Sequence, residues 1–70
     1  MALSSSSPFY KMLSELSRFK LDREDMIIIG MGIKNEDIVE FTNIIQQIKN
    51  NDYDALMSKF LKFRQEKQYE

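Results

Sequence analysis

Apolar residues recur at helical spacing in the middle of the chain. Over residues 35–49 they follow one another in steps of three, four and three, which places them on a single helix face. These positions are Ile38, Phe41, Ile45 and Ile48. Asn35 can cap the first turn through its side-chain oxygen. Glu36 and Asp37 then suit the positive end of the helix dipole, so the pattern predicts a helix over residues 35–49.

Two further amphipathic helices are predicted, one on each side of this segment. The first covers residues 8–20, where Ser7 can cap the helix and Pro8 takes the first helical position. Its apolar positions are Phe9, Met12, Leu13, Leu16 and Phe19. The last begins after Asp52, a second capping residue, because Asn50 and Asn51 can end the central helix. Its apolar face comprises Tyr53, Leu56, Met57, Phe60 and Leu61, with Phe63 beside it.

The segment Met26–Ile33 is apolar without a gap and does not show one period. Its isoleucines and two glycines favour a strand, whereas Asp22 as a cap and Asp25 three residues later favour a helix. A lone strand would need a partner strand from a second copy, because no other run of this kind exists in the chain. We therefore expect a short buried helix that ends near Gly30, with a helical corner over Gly30–Asn35.

Composition limits the chain to one domain and a small core. The 70 residues carry ten basic and eleven acidic side chains, for a net charge of −1. Chains of this size usually need a disulfide, a metal or a partner subunit. Because Cys and His are both missing, thiolate and imidazole sites are excluded and oligomerisation remains. We expect residues 1–7 to be a disordered lead-in and residues 8–70 to form the domain.

DNA binding is the main alternative to a protein-binding function. Gly32 and the helix after it match the corner of a helix-turn-helix, and Met26–Ile33 could form the ribbon of a ribbon-helix-helix dimer. The second helix would open with acidic residues, and residues 35–54 carry a net charge of −4 from five acids and one lysine. Carboxylates are repelled by phosphates, and an apolar ribbon cannot hydrogen-bond a base edge, so both arguments weigh against nucleic acid.

Charged clusters elsewhere have simpler explanations than a metal or catalytic site. The acids at the two helix starts have no calcium-loop spacing, and the serines lack an activating base. We therefore expect no enzyme, no cofactor and no metal. The basic residues of the last helix suit a solvated face, although they could contact phosphates or an acidic partner. They are Lys59, Lys62, Arg64 and Lys67.

The stretch from Gly30 to Phe41, Gly-Met-Gly-Ile-Lys-Asn-Glu-Asp-Ile-Val-Glu-Phe, resembles the helix-to-helix corner in the dimerisation half of MerR-type regulators. It is also similar to the helical hook of SinI-like antagonists, which bind the oligomerising helices of a repressor, once a gap of one turn is allowed. The winged DNA-binding half of the first family is missing here. The similarity implies a helical corner and identifies no family.

The sequence therefore predicts an all-α domain of three main amphipathic helices plus a short buried helix. The apolar supply exceeds what four short helices can bury, so we expect a homodimer or a larger protein partner. The function expected is that of a small cytoplasmic regulatory protein, such as an inhibitor or a modulator of transcription regulation, with no membrane contact. A DNA-binding regulator is the less favoured alternative. The expected contact residues are an acidic group and an apolar group: Glu36, Asp37 and Glu40, and Tyr53, Met57, Phe60 and Phe63.

Overall fold

The computed structural model describes residues 7–69, and over this range the chain forms four α-helices and no β-strand. The helices are α1 (Pro8–Leu16), α2 (Arg23–Gly32), α3 (Ile38–Gln46) and α4 (Tyr53–Glu66), and 3₁₀ turns cover Ser17–Phe19 and Asn35–Asp37. The predicted all-α bundle is confirmed. The disorder predicted for residues 1–7 falls, apart from Ser7, outside the described residues.

Helix α3 lies at the centre of the bundle and makes its most extensive contacts with α1, with α4 on another side. All four side chains of its predicted apolar face are buried: Ile38, Phe41, Ile45 and Ile48. The ring of Phe41 lies 6.0 Å from that of Phe60 and 5.2 Å from that of Phe63. Burial of an aromatic or aliphatic side chain of this size stabilises the fold by about 1.5–3 kcal/mol, so α3 anchors the core.

Helix α1 packs onto α3 through Met12 and Leu16, both fully buried, and Phe19 extends this surface from the following turn. Ser7 takes the predicted capping position, but its side chain makes no capping hydrogen bond. Arg18 performs an unexpected structural role. Its guanidinium donates to the carbonyl of Ile45 at 3.0 Å, which also accepts the backbone N–H of Ile48, and so adds a second hydrogen bond at the end of α3.

Residues 23–32 settle the ambiguous segment as a helix, which also means that this segment cannot supply a DNA-binding ribbon. The predicted cap is confirmed, because the side chain of Asp22 accepts a hydrogen bond from the backbone N–H of Asp25 at 2.8 Å. The helix ends at Gly32, two residues beyond Gly30. The expectation that it is buried on all sides is wrong, since Ile29 is its only fully buried apolar side chain.

The corner between α2 and α3 is present, but its details differ from the prediction. Ile33 and Lys34 are extended, and the turn Asn35–Asp37 precedes α3. Asn35 is not the cap, because the turn begins after Lys34 and no side chain caps either the turn or α3. The turn is stabilised instead by a backbone bond from Asp37 to the carbonyl of Lys34 at 2.8 Å.

Helix α3 ends at Gln46, three residues earlier than predicted, and Asn50 and Asn51 both adopt left-handed backbone conformations with φ of 62° and 49°. Asparagine tolerates this conformation better than most residues, so the pair turns the chain before α4. The prediction that the pair ends the central helix is wrong, because α3 ends four residues before Asn50. Asp52 caps α4 as predicted, by accepting from the N–H of Ala55 at 3.2 Å. Leu61 was expected on the buried face but is 62% exposed.

Candidate protein-binding surfaces

The expected acidic contact group is partly occupied by contacts within the chain. Glu36 is exposed and makes no ion pair among residues 7–69. Lys67 Nζ forms an ion pair with a carboxylate oxygen of Glu40 at 2.8 Å, and a carboxylate oxygen of Asp37 lies 3.9 Å from the same nitrogen. The hydrogen bond to Glu40 raises the pKa of Lys67. The two acids therefore bind the end of α4 to the start of α3.

Tyr69 completes this connection, which we call the C-terminal clasp, defined by Tyr69, Asp37, Lys34, Arg64 and Lys67. The hydroxyl of Tyr69 donates to a carboxylate oxygen of Asp37 at 2.6 Å and accepts from the N–H of Lys34 at 2.8 Å. Its ring lies between two cations, with Lys34 Nζ and Arg64 Cζ each 4.9 Å from the ring centroid. Burial and the bond to Asp37 raise the pKa of Tyr69.

The expected aromatic contact group divides between the core and the surface. Phe60 and Phe63 are each 3% exposed and pack against α3, so they stabilise the fold and are not available on the free surface. Met57 is partly buried at the edge of the core. Tyr53 is exposed, and its hydroxyl donates to Asp25 at 2.8 Å, a bond that raises its pKa.

The largest apolar exposure on neighbouring positions lies on α2, where sequence reasoning expected burial. Ile27 is 50% exposed, Ile28 is 45% exposed and Met31 is 83% exposed. Ile27 and Met31 are four residues apart and Ile28 and Met31 three, so the three side chains share one surface of the helix. We call these three residues the α2 apolar face. The unbroken apolar run could have indicated this exposed face, because a helix that packs on one side only cannot bury every position.

A second candidate surface is a groove between the end of α3 and the length of α4, with a volume of about 420 Å³. We call it the lysine groove. Its apolar lining, which we call the groove floor, is formed by the partly exposed Ile44 and Ala55 together with the buried side chains of Ile48 and Phe63. Three cations line it, Lys49, Lys59 and Lys62, together with Gln47, Asp52 and Glu66. Of the basic residues noted in the sequence, Lys59 and Lys62 face this groove, whereas Arg64 and Lys67 belong to the C-terminal clasp.

Two further findings limit the chemistry of the described residues. No three carboxylates between residues 7 and 69 lie close enough together to hold a metal ion. None of the four helices has the length and apolarity that crossing a bilayer requires.

The chain was compared with known proteins at the level of families, curated sequences and solved structures. Neither the known families, nor the curated proteins, nor the solved structures include a match to the chain.

Proposed function

We propose that this chain is a small non-enzymatic regulatory protein that binds a larger protein partner through the α2 apolar face. The observation that supports the proposal is the position of the exposed apolar side chains. Of eight large apolar side chains exposed among the described residues, three belong to this one helix of ten residues. Exposed apolar side chains that are grouped in this way mark interaction sites, whereas single ones are normal on any surface.

The acidic residues have a smaller role in this proposal than the sequence suggested. Replacing Glu36, Asp37 and Glu40 together by lysine would break the C-terminal clasp, because Asp37 and Glu40 hold Tyr69 and Lys67. A loss of binding in that variant would then not separate contact from folding. Glu36 is exposed and free of these contacts, so Glu36→Lys alone is the clean test of an acidic contribution.

The homodimer and the cytoplasmic location expected from the sequence stay part of the proposal. One surface serves both the homodimer and the larger partner: a second copy covers the α2 apolar face in the free protein and leaves when the partner binds. This arrangement suits an inhibitor or a modulator of a transcription regulator, since the same apolar face would be covered by the second copy before binding and by the partner afterwards.

The test is affinity capture from the native host with the wild-type chain and with the variant Ile27→Ser/Met31→Ser. Both side chains are at least half exposed and neither belongs to the buried core, so the fold should be retained, as circular dichroism can verify. The control is Val39→Ser, because Val39 is 59% exposed on α3 but has no apolar neighbour on its own outer face.

The proposal predicts that a defined partner is retained by the wild type and by Val39→Ser and is lost with Ile27→Ser/Met31→Ser. Equal retention by all three chains would show that the α2 apolar face does not contact the partner. A partner lost equally with both variants would show that surface apolarity in general, and not this face, governs capture.

A further inference from the structure

The lysine groove shares no residue with the α2 apolar face and has its own chemistry. We propose that it binds an acidic amphipathic helix of a protein partner, with the apolar side of that helix on the groove floor and its carboxylates beside Lys49, Lys59 and Lys62. The groove is made by α3 and α4 and does not use Ile27, Ile28 or Met31. The proposal for the groove can therefore be refuted while the proposed function of the α2 apolar face stands.

The charges along the groove indicate an acidic occupant. Within residues 7–69, none of the three lysines takes part in an ion pair. Two carboxylates also line the groove, Asp52 before the start of α4 and Glu66 at its end, so three cations face two anions. The stretch between them is therefore positive, although the whole chain carries a net charge of −1. Complementary charge steers association and selects the partner.

The shape of the groove indicates a helix. The residues of α4 that line it lie along one face of that helix and follow its whole length: Ala55, Lys59, Lys62, Phe63 and Glu66. With 14 residues, α4 is about 21 Å long, which is about four turns of a bound helix. The small side chain of Ala55 leaves space where a larger apolar residue can enter. Helices recognised in this way place apolar residues at matching one-turn intervals.

The experiment uses a fluorescent synthetic peptide of about 18 residues, long enough to become helical, with leucines at one-turn intervals and glutamates elsewhere. Its binding to the full chain is measured by fluorescence anisotropy. The groove variant is Lys49→Glu/Lys59→Glu/Lys62→Glu. The matched control, Lys11→Glu/Lys20→Glu/Arg23→Glu, changes the net charge equally at exposed positions outside the groove. If the groove variant does not fold, Lys49→Gln/Lys59→Gln/Lys62→Gln, which removes the three charges without reversing them, replaces it.

The proposal predicts that the groove variant binds at least about tenfold more weakly than the wild type, while the control changes by less than about threefold. A second peptide, with its leucines replaced by serine, should also bind about tenfold more weakly, because it cannot fill the apolar floor. The variant Ile27→Ser/Met31→Ser should bind the first peptide as the wild type does.

Five results would overturn the proposal. Four of them are no binding of the first peptide to the wild type, equal weakening in both charge variants, equal binding of the serine peptide, and displacement of the first peptide by random duplex DNA at equal concentration. A loss of binding confined to Ile27→Ser/Met31→Ser would move the peptide to α2 and would likewise overturn it.

Discussion

At the scale of single residues, the end of α4 depends on Gln68, which adopts a backbone conformation that residues with a Cβ atom disfavour. Gln68 has a φ of 60°, in the left-handed region that glycine usually occupies. Its N–H donates to the carbonyl of Gln65, and the N–H of Tyr69 donates to the carbonyl of Arg64, the two bonds of a Schellman motif. This turn directs Tyr69 towards Asp37, so Gln68 positions the C-terminal clasp.

Replacing Gln68 by glycine should raise the free energy of unfolding by about 0.5–1 kcal/mol, because glycine adopts the left-handed conformation without a Cβ penalty. The matched control is Gln65→Gly, which lies within α4 and should lower the free energy of unfolding by about 1 kcal/mol. Urea unfolding of the three chains measures both changes. Two changes of the same sign would mean that the left-handed turn does not persist in solution.

The clasp should also make stability depend on alkaline pH. The folded state raises the pKa of Tyr69 above its ordinary value of about 10, so its contribution is fully present below about pH 10 and is lost as the pH rises through the folded value. Tyr69→Phe should cost about 1 kcal/mol near pH 7 and less above about pH 10. Tyr53→Phe, which removes a more exposed hydroxyl, should cost less than Tyr69→Phe at neutral pH. A cost for Tyr69→Phe that does not change with pH would contradict this account.

At the scale of elements, the two glycines of α2 have different surroundings despite their similar sequence context. A Cβ on Gly30 would lie 3.8 Å from a methyl of Leu13 and 4.0 Å from the ring of Phe9, which is ordinary contact. A Cβ on Gly32 would lie 2.6 Å from Cζ of Phe60, a ring held in the core. Arg64 also donates to the carbonyl of Gly32. The close approach of α4 to α2 therefore requires glycine only at position 32.

Gly30→Ala should raise the free energy of unfolding by about 0.5–1 kcal/mol, because alanine is the better helix former and has space here. Gly32→Ala should lower it by about 1–3 kcal/mol, because the added methyl group displaces the buried ring of Phe60. Thermal and urea unfolding of both variants test the pair. A stabilising Gly32→Ala would show that α2 and α4 do not meet as described.

Helix α2 also shows where sequence reasoning reached its limit. The face of α3 could be predicted because its spacing alone separates inside from outside. The run from Met26 to Ile29 has no such spacing, so the direction of burial depended on which helices α2 contacts. The same limit applied to Phe60, which periodicity places on an apolar face without saying whether that face meets α3 or a partner. Likewise, Asp37 was recognisable as a helix-start acid, but its bond to Tyr69 spans 32 residues.

At the scale of the whole molecule, the described chain has a small core and no covalent reinforcement. Twelve apolar side chains are buried among the described residues, and the radius of gyration is 11.7 Å. Domains of this size expose a large share of their surface, and partner subunits commonly supply the missing burial. The chain has no cysteine for a disulfide, and the second copy proposed on the α2 apolar face would add buried apolar surface.

Sedimentation equilibrium should then show the apparent mass of the wild type rising from 8.3 kDa towards twice that value with concentration. The melting temperature should rise in parallel, because association stabilises the folded state by mass action. Ile27→Ser/Met31→Ser should remain monomeric, with a melting temperature that does not depend on concentration, while Val39→Ser should behave as the wild type. A wild type that stays at 8.3 kDa throughout would remove the homodimer and leave the α2 apolar face to a larger partner alone. Persistent dimers of Ile27→Ser/Met31→Ser would instead place the contact between copies on another surface.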